Sequence, residues 1–160
     1  MTDRILTLGK LALLLGILIP ASVTDGKKRI IPNRYPVLLG SAGILFLLFD
    51  HFLGKTAWDE LLFSSGFGVL AALGICGFCR LVDRNGLGMG DCKLLLAESL
   101  YLGLLPFLSS VGIAAIASLI AALFLLKKGK RAKETTLPFA PFLSGGAALA
   151  QLLDVISIFR

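Results

Sequence analysis

The sequence has few charged residues, few cysteines and a single histidine, and these scarcities exclude several classes of protein. Charged residues make up 16% and apolar residues 56% of the 160 residues, whereas a soluble domain has about 25% charged residues. A compact soluble domain of this size could not bury so much apolar surface. Three cysteines, an odd number, do not indicate a disulfide-rich secreted scaffold, and the hydrophobicity excludes intrinsic disorder. What remains is a polytopic membrane protein.

The scarcity of metal ligands predicts that the protein binds no metal. His51 has no matching set of ligands in the sequence, and an all-cysteine structural zinc site needs four thiolates. Cys76 and Cys79 lie in an apolar run, so we interpret both as packing residues.

Six apolar runs predict an all-α protein with six transmembrane helices in one transmembrane domain, residues 1–160. Crossing a hydrocarbon core of about 30 Å takes about 20 residues. The fourth run is short and ends near Pro106, so alone it would be interpreted as a re-entrant or interfacial segment. It is kept as a spanning helix because the charge pattern requires an even number of spans. The predicted spans are 5–23, 36–53, 61–79, 92–105, 107–126 and 137–159.

Basic residues are concentrated in the connectors that follow the first, third and fifth spans, which hold 12 of the 16 when the third connector is counted through Lys93 at the start of the fourth span. By the positive-inside rule these connectors are cytoplasmic, so both termini face outward and the number of spans is even. The net charge of +6 is therefore an orientation signal. Nucleic-acid binders instead need a basic groove with stacking aromatics or an element that enters a groove, so we predict no nucleic-acid partner.

Two aspartates lie at the same predicted membrane boundary, although their positions in the chain differ by 66. Asp25 is expected just past the end of the first span, and Asp91 at the start of the fourth. Two neighbouring carboxylates can share a proton, so that one activates water as a base and the other acts as an acid. For either aspartate alone, helix capping and a loop glycine run are the preferred explanation, but the occurrence of both aspartates at one boundary favours catalysis.

Three ordered motifs resemble those of the type IV prepilin peptidases. Residues 88–95 read Gly-Met-Gly-Asp-Cys-Lys-Leu-Leu, similar to the family's G-x-G-D-x-K-L signature. Asp25 is followed by Ile-Pro-Asn at 31–33, and residues 138–147 resemble the family's final-helix P-F-x-P-F-L-x-x-G-A motif. The resemblance runs from about residue 21 to residue 147, nearly the whole chain.

The resemblance implies a single transmembrane peptidase domain, acting as an aspartic endopeptidase without a cofactor. Asp25 and Asp91 match the family's catalytic pair. The implied substrates are prepilin-like proteins of type IV pilus or protein secretion systems, whose basic leader peptide is removed. The implied location is the cell membrane, with the active site facing the cytoplasm and the lipid bilayer around the helices.

Four residues near Asp91 form the predicted substrate-binding set. Gly88 and Gly90 allow a positive φ and close approach of another backbone, so an extended substrate could pair there. Lys93 either favours the ionised form of a neighbouring carboxylate or extends to the interface. Glu98 lies two turns deeper on the face of Asp91, where it either lines a path for water or is a buried structural partner.

The sequence departs from the long members of the family in one respect. Those members carry an insertion with two Cys-x-x-Cys pairs that bind zinc and are linked with N-methylation, and this sequence shows no such insertion. We therefore predict the short, peptidase-only branch without N-methyltransferase activity. The alternatives from other classes are a small transporter and a non-catalytic scaffold of a pilus or secretion machine.

Overall fold

The computed structural model describes residues 2–54, 57–82, 87–127 and 138–159. Six helices and their short connections, with no strand, make up these described residues, so the all-α prediction is confirmed. The basic cluster predicted in the fifth connector lies largely in 128–137, outside the described residues. The helices are α1 Thr2–Lys28, α2 Arg34–Phe52, α3 Trp58–Val82, α4 Met89–Leu102, α5 Leu104–Lys127 and α6 Ala140–Phe159.

Four of the six helices are long and apolar enough to cross a membrane within the described ranges: α1, α2, α3 and α5. A shorter apolar stretch, Ala140–Leu153, lies in α6. The 14 residues of α4 rise about 21 Å, less than a hydrocarbon core of about 30 Å. The chain is a polytopic membrane protein, and α4 is the short helix that the sequence indicated.

The end of α1 differs from the prediction. The first span was expected to end at residue 23, with Asp25 beyond it, but α1 continues to Lys28 and contains Asp25. The helix stops where Arg29 adopts a φ of 53° and its N–H donates to the Asp25 carbonyl at 2.8 Å. The apolar run shows only which residues contact lipid. The helix itself continues past that run, because its backbone hydrogen bonds persist until a residue in the left-handed conformation ends it.

The break between α4 and α5 was also predicted in the wrong place. The expected break lay near Pro106, but it occurs at Gly103, which has a φ of 76°. Glycine is favoured at such a φ, because it lacks a Cβ. Ser64 Oγ accepts a hydrogen bond from the Leu104 N–H at 3.3 Å, and Pro106 lies in the first turn of α5, where a missing N–H is tolerated.

The chain divides into two compact units. The first unit combines Met1–Arg29 with Ser109–Arg160. Here α1 packs along α6. Gly146 of α6 lies against the backbone of Ser110, so closely that a Cβ at position 146 would overlap the Ser110 carbonyl. Small residues at such positions let membrane helices approach closely.

The second unit, Ile30–Leu108, contains α2, α3 and α4, with α4 packed against both other helices. A Cβ at Gly43 of α2 would lie 2.9 Å from the Tyr101 nitrogen, and one at Gly40 would lie 3.7 Å from the Ala97 Cβ. Residue numbers rise together along the two helices in these contacts, so α2 and α4 run parallel. The start of each helix is therefore at the same end of this unit.

Candidate active site

Asp25 is a buried carboxylate in the last turn of α1. Its side chain is 6% exposed, and its Oδ2 accepts a hydrogen bond from the Ala140 N–H at 3.2 Å. Ala140 is the first residue of α6, where backbone N–H groups have no partner within the helix. A carboxylate at a helix N-terminus is also favoured by the helix dipole. The start of α6 therefore orients one oxygen of Asp25.

Ser22, one turn before Asp25, ties the same end of α6 to α1. Its Oγ lies 3.1 Å from the Ala140 carbonyl oxygen and 2.9 Å from Ser144 Oγ. The Ser144 hydroxyl is also within 2.9 Å of the Pro141 carbonyl. Ser22 therefore contacts the carbonyl oxygen of Ala140, while the Asp25 carboxylate accepts a hydrogen bond from the N–H of the same residue. The position of the Asp25 carboxylate thus depends on a small polar cluster between α1 and α6.

Asp91 lies in the first turn of α4, as predicted, and is half-buried. A Cβ at Gly88, the N-cap residue, would lie only 3.1 Å from Asp91 Oδ2. Contacts of 3.0–3.4 Å are tighter than nine in ten real Cβ contacts, so a neighbouring atom would have to shift. The glycine at 88 therefore leaves room for the carboxylate of Asp91.

The expectation of a positive φ at Gly88 and Gly90 is wrong. Gly88 has a φ of −65° and a ψ of 149°, which any residue can adopt, and Gly90 is helical with no positive φ. Both glycines are instead closely approached by side chains of this chain. A Cβ at Gly90 would lie 3.0 Å from the Cβ of Ile31. Both positions therefore require glycine because a Cβ would crowd a neighbouring side chain, and not because the backbone adopts an unusual conformation.

The Ile-Pro-Asn segment at 31–33 packs directly on the first turns of α4. Ile31 lies against Gly90, and the Lys93 Nζ donates to Asn33 Oδ1 at 2.9 Å. Two of the sequence motifs therefore form one packed corner of the second unit. This corner fixes the helix turn that carries Asp91.

The four predicted substrate-binding residues do not share one face of α4. Successive residues turn about 100° around a helix, so Lys93 projects about 200° from Asp91, whereas Glu98 returns to within about 20° of it. Glu98 is fully buried, which favours the structural alternative for this residue. Lys93 is exposed and contacts Asn33, the residue directly before α2. That these residues bind substrate stays a prediction.

The described residues contain no group of three or more His, Cys, Asp or Glu side chains that could hold a metal ion. Cys76 is buried in α3 and lies near Cys92 of α4, while Cys79 is half-buried. The cysteines are therefore packed within and between helices of the second unit.

Residues 12–126 match the sequence model of the type IV leader peptidase family. This region is more than half of the chain and includes both Asp25 and Asp91. The chain belongs to the type IV leader peptidase family.

Several curated proteins are similar to this chain. Leader peptidase HopD of Escherichia coli is 31% identical over 127 residues, which cover 75% of this chain and 77% of HopD. A prepilin leader peptidase/N-methyltransferase of Bacillus subtilis is 31% identical over 156 residues, covering 91% of this chain and 56% of that protein. The corresponding protein of Dickeya chrysanthemi is 29% identical over 142 residues, covering 88% and 49%. The chain thus spans about half the length of the two bifunctional relatives. No solved structure matches the chain.

Sequence reasoning missed the residues of the first unit that position Asp25, either by direct contact or through Ala140. Ser22 and Ala140 were not assigned a role, although the motif at 138–147 was recognised as part of the resemblance. Pro141 was the available signal, since proline is favoured in the first turn of a helix and so marks a helix N-terminus near 140. No local pattern indicates that this terminus meets a residue 115 positions earlier.

Proposed function

We propose that this chain is an aspartic endopeptidase that removes the leader peptide from prepilin-like proteins, with Asp25 and Asp91 as its catalytic pair. The observation that carries the proposal is family membership over a region that includes both aspartates. The names of the relatives, leader peptidases in each case, indicate the substrate class. The surroundings of each carboxylate, described above, support the choice of these two residues.

The proposed chemistry needs two carboxylates that hold one proton between them. The ionised carboxylate removes a proton from water as the water oxygen attacks the scissile carbonyl carbon. The protonated carboxylate donates its proton as the tetrahedral intermediate collapses and the carbon–nitrogen bond breaks. The leaving amine carries that proton, and the catalytic pair is again singly protonated. Two carboxylates that share one proton titrate as a unit, so the two roles are assigned to the pair.

The substrate is proposed to approach from the membrane boundary at which α4 begins. An extended peptide could pair with backbone groups near Gly88 and Gly90, since the first N–H groups of a helix lack partners within the helix. The charge pattern of the connectors supports a cytoplasmic position for this boundary in the cell membrane.

The test is cleavage of a synthetic prepilin peptide by the purified chain in lipid nanodiscs. We expect cleavage at the leader junction by the wild type, loss of cleavage in Asp25→Asn and in Asp91→Asn, and retained cleavage in Asp59→Asn. Asp59 is an exposed carboxylate in the first turn of α3, so its substitution controls for the loss of one negative charge. Cleavage that survives both active-site substitutions would contradict the catalytic pair. Binding of the peptide without any cleavage by the wild type would favour a non-catalytic scaffold.

A further inference from the structure

A groove of about 380 Å³ lies between α2 and α4 in the second unit, on the side of α4 away from Asp91. Pro36, Val37 and Gly40 line it from α2, and Leu96, Ala97 and Leu100 from α4. The groove exists because Gly40 and Ala97 are small at the place where the two helices meet. We call it the α2–α4 groove.

The two polar residues of the α2–α4 groove are both at one end. Asn33 directly precedes α2, and Lys93 lies one turn into α4, so both mark the membrane boundary at which these parallel helices begin. From this mouth the groove extends seven residues along each helix, about 10 Å into the membrane. The cavity therefore has a polar mouth at the level of lipid headgroups and an apolar interior at the level of acyl chains.

The mouth carries a positive charge that its hydrogen bond does not neutralise. The Lys93 ammonium donates to Asn33 Oδ1, which belongs to an uncharged amide, and the amide nitrogen of Asn33 supplies further N–H donors. The guanidinium of Arg34 follows in sequence, exposed and stacked on the Tyr35 ring at 5.0 Å from its centroid. This is an arrangement of donors and cations suited to a phosphate.

We propose that the α2–α4 groove is a binding site for an anionic phospholipid, with its phosphate at Lys93 and Asn33 and an acyl chain along Gly40 and Ala97. The apolar lining favours a lipid over a free anion. The placement of Lys93 about 200° around α4 from Asp91 favours a lipid over the substrate, because a peptide held at Asp91 lies on the other side of the helix. The proposal does not depend on peptidase activity.

The experiment measures retained lipid by native mass spectrometry of the full chain, released from nanodiscs of equimolar phosphatidylglycerol and phosphatidylcholine. We expect the wild type to retain phosphatidylglycerol in preference to phosphatidylcholine. Lys93→Gln should reduce that preference about fivefold, the effect of one basic residue at an anionic surface. Lys93→Arg should keep it, and Lys27→Gln, which removes an exposed cation at the end of α1, should keep it too.

A second variant tests the acyl part of the site. Gly40→Leu fills the groove and should reduce retention of phosphatidylglycerol, whereas Gly74→Leu, where a Cβ meets nothing within 4 Å, should not. An unchanged preference in Lys93→Gln would overturn the proposal. So would Lys93-dependent binding of inorganic phosphate that Gly40→Leu leaves intact, which indicates a free-anion site. Displacement of the bound lipid by a synthetic prepilin peptide would show that the groove is a substrate site and would overturn the proposal as well.

Discussion

A single methyl group at position 88 should separate the role of Gly88 in catalysis from a role in folding. The φ of −65° and ψ of 149° at Gly88 are accessible to alanine, so Gly88→Ala introduces no backbone strain. The new Cβ would lie 3.1 Å from Asp91 Oδ2, and the carboxylate would have to move by a few tenths of an ångström. The perturbation therefore acts on the proposed catalytic group itself.

The size of the effect follows from that displacement. A misplacement of about 1 Å in a catalytic geometry costs about a hundredfold in rate, so a few tenths of an ångström should lower kcat about four- to tenfold. The free energy of unfolding should change by no more than about 0.5 kcal/mol, because no buried apolar contact is lost and no backbone dihedral is forced.

The assay combines kcat for prepilin peptide cleavage with thermal unfolding of the same preparations. Gly26→Ala is the matched control, because Gly26 directly follows Asp25 and a Cβ there meets nothing within 4 Å. We expect wild-type kcat in Gly26→Ala and a reduced kcat with an unchanged Tm in Gly88→Ala. A wild-type kcat in Gly88→Ala would refute the steric argument, and a loss of kcat with a matching loss of folded protein would show that the residue acts through folding.

Three further predictions concern packing and topology. Gly43→Ala should lower the free energy of unfolding by about 1–3 kcal/mol, because its Cβ would meet the backbone of α4, while Gly74→Ala in open space should raise it by about 0.5–1 kcal/mol. Denaturant titration in mixed micelles measures both changes in the free energy of unfolding. Changes of the same sign in the two variants would contradict the close packing of Gly43 on α4. Ser22→Ala should cost about 0.5–1.5 kcal/mol in the same titration through the loss of its hydroxyl contacts between α1 and α6, and no change would show that these contacts carry no stability. In a cysteine-free background, a membrane-impermeant thiol reagent added to intact cells should label Leu53→Cys and not Ile30→Cys, and the reverse would overturn the orientation.

The helices could be predicted from the sequence because contact with lipid requires apolar runs, and six such runs are present, the fourth of them short. Their ends could not be predicted as well. Asp25 was placed outside α1 because charged residues end an apolar run, yet the backbone hydrogen bonds of the helix continue to Lys28. The break before α5 was assigned to Pro106, although proline is tolerated in a first turn and Gly103 supplies the left-handed residue.

The residues of the candidate site are a prediction from motif and position, but their contacts could not be predicted. Asp25 and Asp91 follow from motif and position, since both lie next to a span boundary. The glycines before Asp91 were assigned to backbone freedom because sequence alone does not distinguish a left-handed glycine from one that leaves room for a neighbour. The packing of Ile31 on Gly90 shows that Gly90 leaves room for a neighbour. That contact joins residues far apart in the sequence, so it depends on the tertiary fold.

The two proposed catalytic carboxylates are oriented inside different compact units and by opposite means, so they place different demands on the sequence. Asp25 accepts a hydrogen bond from the backbone N–H of Ala140, which every residue except proline supplies. Because Ala140 is fully buried, position 140 requires a small residue with an N–H and nothing more specific. Asp91 depends instead on the absence of a side chain at position 88, which only glycine satisfies. Substitutions at 140 that keep a small side chain should therefore be tolerated, whereas every substitution at 88 should displace the carboxylate of Asp91.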